Sequence, residues 1–247
     1  MDSLSRAVYA IVMMVSLGLA WWLMQQKQRS HSLSSRERVL LGLAAFIGAM
    51  LGAKLPFIGQ LGWAGILNGT TWFVDGKTIL GGIFGGYLAV EVAKASFGIR
   101  VGTGDAFAVP IAIAVMIGRI GCFWAGCCFG TVTSLPWGVS FPLAADPPDV
   151  LRHPTQIYEV IFHAFAIVAL LLAERRDWCP GQRLKAYLLG YLGYRFVSEW
   201  IRPEARVLWG LTIYQIACVL LSLILVALWF RDARRHGQSP TLPEDIT

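Results

Sequence analysis

Apolar runs of about 20 residues recur along the chain with short polar connections between them, and this pattern predicts helices that cross a membrane. A hydrocarbon core of about 30 Å needs roughly 20 helical residues, because only an internally hydrogen-bonded backbone is stable there. The predicted spans are 6–25, 38–55, 79–98, 105–122, 155–173, 184–202 and 210–230, seven in all. The stretch Leu61–Phe73 is apolar but short and Gly-rich, and reads as a re-entrant or interfacial piece. The first run has Arg6 before it, "QQKQRSHSLSSRER" after it and no small-residue cleavage site, which argues against a cleavable signal peptide. No soluble domain, internal repeat or nucleotide-binding loop is legible. The expectation is an all-α, polytopic membrane protein with a single domain over 1–247.

Composition agrees: 56% hydrophobic residues, a mean hydropathy of +0.58 and 15% charged residues exclude an ordinary soluble domain. Charge sets the expected orientation, because cytoplasmic connections retain Lys and Arg. One side collects Lys27, Arg29, Arg36, Arg38, Arg100, Arg175, Arg176, Arg183, Lys185, Arg231, Arg234 and Arg235, twelve residues. The other has Arg6, Lys54, Lys77, Arg152, Arg202 and Arg206, six residues. The amino terminus is therefore expected outside and the carboxyl terminus in the cytoplasm. Topology and anionic head groups account for the net charge of +6, and no nucleic-acid partner is called for.

Polar residues inside the spans are costly in a bilayer, and here they converge. Arg119 lies near the outer end of the fourth span, and Arg195 and Glu199 in the outer half of the sixth. Gln156 and Glu159 open the fifth, and Gln215 lies one turn into the seventh. Four helices thus bring polar side chains to the outer leaflet. Glu91 and Lys94, three apart near the other end of the third span, suit a helix-face ion pair. The structural reading is that Arg195 pairs with Glu199 and Arg119 with Glu159. The functional reading is a phosphate clamp, since guanidinium binds phosphate oxygens bidentately and stays charged at any depth. Glycines at 118, 121, 126 and 130 would let a lipid head group approach the backbone, although glycine also serves helix packing. Trp63, Trp72, Trp137, Trp200 and Trp209 are expected at the outer interface, and the "PLAADPPDV" loop reads as a lid or acceptor contact.

These residues resemble the prolipoprotein diacylglyceryl transferase family of bacterial inner-membrane enzymes with seven transmembrane helices. "GRIG" at 118–121 with Gly126 and Gly130 resembles the family signature. "LPWGVSFP" at 135–142, "RHPTQIYE" at 152–159, "YRFVSEWIRPE" at 194–204 and "LTIYQ" at 211–215 follow in the family's order. The resemblance implies transfer of the diacylglyceryl group of phosphatidylglycerol, or a similar anionic phospholipid, to a cysteine thiol of a lipoprotein precursor, with release of glycerol phosphate. It implies no cofactor, and an active site toward the periplasm. It places Arg119 and Arg195 at the lipid site and has Glu199 orient Arg195. Tyr9, Gly121, Cys122, Gly126, Cys127, Gly130, Gln156, Tyr158, Glu159 and Gln215 line the substrate region, and His153 is a candidate base as well as a candidate capping residue.

Departures from the family pattern bear on the acceptor. Leu80, in "ILGGIFGG", stands where the family has a histidine, and Cys122 and Cys127 replace an asparagine and an acid. The missing base leaves open an acceptor other than a lipoprotein precursor. His163 lies one turn below Glu159, as a paired core histidine or a proton relay. His31 and His236 are expected on the cytoplasmic side. Three readings of Cys122, Cys127 and Cys128 stand side by side: small packing residues, a disulfide, and reactive or metal-binding thiols. No second Cys-x-x-Cys or His pair completes a zinc set, so no metal is assigned. The alternative function is a thiol-active or lipid-binding membrane protein built on this cluster.

Overall fold

The computed structural model describes residues 3–29, 33–67, 78–141, 147 and 149–237. The described chain is mostly helical: α1 (Ser3–Gln28), α2 (Ser35–Leu67), α3 (Ile79–Ser96), α4 (Gly104–Trp124), α5 (Thr155–Arg175), α6 (Arg183–Ser198) and α7 (Ile213–Gly237). Six of these helices are long and apolar enough to cross a membrane. The exception is α6, which has 16 residues and carries Arg183, Lys185 and Arg195; a 3-10 turn, Glu199–Ile201, extends it. The protein is an all-α membrane protein, with one small hairpin as its only named strands among the described residues. The stretch expected to re-enter begins inside α2, which runs unbroken to Leu67; residues 68–73 lie outside the described residues, as do His31 and most of the "PLAADPPDV" loop.

The chain divides into two compact units, one comprising Leu17–Ala106 and the other the start of α1 to Ser16 together with everything from Phe107 onward. In the first unit α2 and α3 pack through two interlocked small-residue motifs, Gly48-x-x-x-Gly52 and Gly81-x-x-x-Gly85. A methyl group at Gly52 would strike the Gly81 carbonyl, and one at Gly85 the Gly48 carbonyl. Backbone cannot yield as a side-chain end can. Gly52→Val is therefore expected to cost about 2 kcal/mol or more through overpacking, read as a lower unfolding temperature in detergent, whereas Gly190→Ala, with open space around its Cα, leaves it unchanged or raised. On α3, Glu91 and Lys94 form the expected ion pair at 3.0 Å.

In the second unit the start of α1 lies against α4, where Ser16 Oγ donates to the Ala114 carbonyl at 2.8 Å. Gly121 makes this approach possible, since a Cβ there would lie 3.0 Å from Val12 and 3.6 Å from the ring of Tyr9. Tyr187, Tyr191 and Tyr194 on α6 stack against Phe162 and His163 on α5. Helices α6 and α7 run antiparallel, tied at one end by Lys185–Asp232 at 3.0 Å and at the other by Thr212 Oγ1 donating to Glu199 Oε1 at 3.1 Å. Between them β1 (Arg206–Leu208) and β2 (Leu211–Thr212) form a hairpin whose tip, Trp209-Gly210, has positive φ at both positions, as a two-residue hairpin turn requires. Trp209 is 87% exposed.

Burial in this unit is inverted relative to a water-soluble protein. Phe165, Val168, Leu220 and Leu223 face outward, while Gln156, Glu159, His163 and Gln215 are buried. This is the distribution a hydrocarbon solvent selects.

Candidate functional site

The site grows out of α5 and α6, whose facing polar residues are buried together. Glu159, on the second turn of α5, is fully enclosed and receives three groups. Arg119 Nε from α4 lies 2.8 Å from its Oε2, the Tyr191 hydroxyl donates to its Oε1 at 2.7 Å, and His163 Nε2 lies 3.9 Å from the same oxygen. His163 is held from its other nitrogen by the Tyr187 hydroxyl at 3.2 Å. Its Nε2 is buried without a hydrogen-bond partner among the described residues. At the end of α6, Arg195 Nη2 meets Glu199 Oε2 at 2.8 Å, and the guanidinium sits 5.4 Å from the centre of the Tyr214 ring. Both sequence-predicted ion pairs are present. The charges of both arginines reach Glu159 and Tyr191, so the two pairs form one electrostatic cluster.

Neither guanidinium is used up by its carboxylate. Arg119 meets Glu159 through Nε at 2.8 Å, and Arg195 Nη1 is buried without a hydrogen-bond partner among the described residues. Arg202, which the sequence reading counted only as a topological charge, is a third member: its charge acts on the same groups as Arg119 and Arg195, and its buried Nε has no partner. Three guanidiniums thus face two buried carboxylates. The surplus of one positive charge suits a phosphodiester monoanion.

Helix α4 ends in a chain reversal beside this cluster. Gly126 N donates to the Phe123 carbonyl and Cys127 N to the Cys122 carbonyl, at 3.0 and 3.1 Å, and Gly126 has φ +69°. These are the two bonds of a Schellman cap, which needs a residue without a Cβ at the left-handed position. Gly126 therefore terminates the helix. The reversal folds Cys127 and Cys128 back over Cys122, and the three sulfurs lie within 4.8 Å of one another. All five cysteines are free thiols. Hydrogen bonds from the Cys122 and Cys127 thiols, with the charges of Arg119 and Arg202, hold the Cys128 thiol well below the ordinary range. Hydrogen bonding to the other two thiols, and burial, push Cys127 up. Tyr9 lies within electrostatic reach of all three and of Arg119.

The segment after the cysteines is fastened to the start of α5. Gln156 Nε2 donates to the Cys127 carbonyl at 2.6 Å and Thr155 Oγ1 to the Cys128 carbonyl at 2.7 Å. A Cβ at Gly130 would meet the Ile201 carbonyl, His153 and Thr155 at 2.5 to 2.9 Å. The close approach at Gly130 is to protein. His153 accepts from or donates to Tyr158 at 3.2 Å, and Trp137 Nε1 donates to the same hydroxyl at 2.8 Å. Because an indole only donates, the Tyr158 proton is free to go to His153 Nδ1. This Trp137–Tyr158–His153 chain orders the loop before α5.

Gln215 is held by the protein at both ends of its amide. Its Oε1 accepts from Thr212 N at 3.0 Å, Thr212 Oγ1 accepts from Gln215 N at 3.2 Å, and its Nε2 donates to the Phe196 carbonyl at 3.2 Å. This is a capping box that starts α7, and both ends of the amide are engaged by protein. The sequence "TIYQ" carries the Thr-x-x-Gln signature that announces it. Leu80 is buried on α3 in the other unit.

Fold and site define a polytopic helical membrane protein with a buried cluster of guanidiniums and carboxylates where four of its helices end or begin. The chain belongs to the prolipoprotein diacylglyceryl transferase family, whose model matches residues 2–231. It is 31% identical over 209 residues to the phosphatidylglycerol–prolipoprotein diacylglyceryl transferase of Clostridium tetani, covering 81% of this chain and 82% of that one. The enzyme of the same name from Wolbachia sp. subsp. Brugia malayi is 30% identical over 230 residues, covering 87% and 86%. That of Methylococcus capsulatus is 29% identical over 236 residues, covering 89% of each.

Proposed function

We propose that this protein is a transferase that moves the diacylglyceryl group of phosphatidylglycerol to a cysteine thiol of a lipoprotein precursor. The observation that carries the reading is the pair of buried arginines, each anchored by one carboxylate, with Arg195 Nη1 buried and without a hydrogen-bond partner among the described residues. Their guanidinium groups bind the phosphate oxygens of the lipid. As the bond between the glycerol carbon and the phosphate oxygen breaks, negative charge grows on that oxygen, and fixed guanidiniums in a water-poor site stabilise it without reorganising. Glu159 and Glu199 act as positioning residues that fix the two guanidinium planes. Tyr9 and Gly121 belong to the wall that α1 and α4 build beside the thiols.

The reading includes seven crossings of the bacterial inner membrane, with α6 and its 3-10 extension as the sixth, the amino terminus outside and the carboxyl terminus in the cytoplasm. The excess of Lys and Arg on one side supports this orientation. The site then lies toward the periplasm, lipid enters laterally between helices, and Trp137, Trp200 and Trp209, all exposed, sit at head-group depth. Purified protein incubated with phosphatidylglycerol radiolabelled in its head group and a peptide bearing a lipoprotein cysteine motif is expected to release glycerol phosphate and gain a lipidated peptide. Absence of release with and without peptide overturns the reading. Release without peptide modification shows a different acceptor.

A further inference from the structure

The transferase reading leaves one feature without a role: a cluster of three thiols beside the arginines. We propose that Cys122, Cys127 and Cys128 hold a zinc ion whose fourth coordination position takes the acceptor cysteine as its thiolate. The proposal rests on the transferase reading for the identity of that fourth ligand, and on geometry alone for the ion.

Three sulfurs within 4.8 Å of one another, from residues on both sides of a tight reversal, are spaced as ligands of one ion. Zinc–sulfur bonds of about 2.3 Å at tetrahedral angles put ligand sulfurs about 3.8 Å apart, so only side-chain rotation is needed. The reversal is built to hold this arrangement. Gly126 supplies the left-handed cap, while Cys128 adopts φ +63°, a conformation that costs a non-glycine residue about 1–3 kcal/mol and persists only when the surroundings impose it. Hydrogen bonds from Gln156 and Thr155 to the carbonyls of Cys127 and Cys128 impose it here. The two flanking thiols are half-buried and Cys128 is exposed, so an incoming thiol has access.

The chemistry would supply a deprotonated acceptor. Three protein ligands with one open position are the coordination of a catalytic rather than a structural zinc. A thiol that coordinates zinc is deprotonated outright, its proton passing to water. The acceptor sulfur then forms a bond to the glycerol carbon as the bond from that carbon to the phosphate oxygen breaks. The electron pair leaves with glycerol phosphate, which takes up a proton from solvent according to pH.

The test uses the full-length protein, purified under a non-thiol reductant and dialysed against zinc chloride and then against zinc-free buffer. Wild type is expected to retain about one zinc per chain, with X-ray absorption showing three sulfurs at about 2.3 Å. The Cys122→Ser/Cys127→Ser/Cys128→Ser variant is expected to retain about a tenth of that or less. The Cys128→Ser variant, which alters only the exposed member, provides a second reading if the triple variant fails to fold. Adding the cysteine peptide is expected to raise the sulfur count to four, and a serine peptide to leave it at three. Failure of wild type to retain zinc, coordination without sulfur, copper(I) in place of zinc, or a mass lower by two hydrogens from a disulfide would each overturn the proposal. A count that stays at three with the cysteine peptide would overturn the role of the fourth position. Because metal retention is read without lipid, a negative result here and loss of transferase activity are separate outcomes.

Discussion

Replacing Arg195 by lysine is expected to lower the rate of diacylglyceryl transfer by about 100-fold or more, the scale of removing one fixed donor from a developing oxyanion. Lysine keeps the positive charge, so a purely electrostatic role would survive the change. It loses the planar fork, and with it the geometry by which Nη2 holds Glu199 at 2.8 Å while Nη1 remains free for substrate. The same substitution at Arg119 removes the Nε that meets Glu159 and the two amino groups beyond it, with an effect of similar size. Both variants retain the buried charge balance, so the unfolding temperature is expected to move little while turnover collapses. Activity of either lysine variant close to wild type would assign the arginines to helix packing alone.

Glu159→Ala is expected to produce the largest loss of stability in the chain. Its carboxylate is buried, paired to Arg119, and accepts the Tyr191 hydroxyl. Removing it strands a guanidinium and a phenol in the interior, and breaking a buried pair in this way costs about 3–5 kcal/mol. Glu159→Ala combined with Arg119→Met removes both charges and is expected to recover most of that loss, because the penalty belongs to the uncompensated ion rather than to the missing attraction. Unfolding in detergent, followed by intrinsic fluorescence for the single and double variants, reads the difference. A single variant as stable as wild type would mean that water reaches Arg119 and that the cluster is not closed.

The sequence made the convergence of polar residues legible because charge inside a bilayer is too costly to scatter. Arg195 and Glu199 meet as their four-residue spacing foretold, and Arg119 and Glu159 as their shared depth did. Local caps were legible too, but were read for chemistry: Gly126 is placed to end a helix and Gln215 to begin one, as a glycine past the last apolar turn and a Thr-x-x-Gln motif signal. Gly130 needed the tertiary structure, since only the packing of the Ile201 carbonyl and His153 shows what its missing side chain admits. Arg202 was hidden for a related reason. Next to "PE" at the end of a span it looks like an interfacial charge, and only folding brings it to the other two guanidiniums. Length misled at α6, where 16 residues followed by a 3-10 turn stand in place of a uniform 19-residue run over 184–202.

The central claim is that Arg119 and Arg195 together hold one anionic lipid head group, and lipid binding in nanodiscs or by native mass spectrometry tests it without requiring turnover. Wild type is expected to bind one phosphatidylglycerol at least about tenfold more tightly than does the Arg119→Lys/Arg195→Lys variant, with no such difference for phosphatidylcholine, whose cationic head group offsets its phosphate. Equal affinity of the two proteins for phosphatidylglycerol would contradict the account.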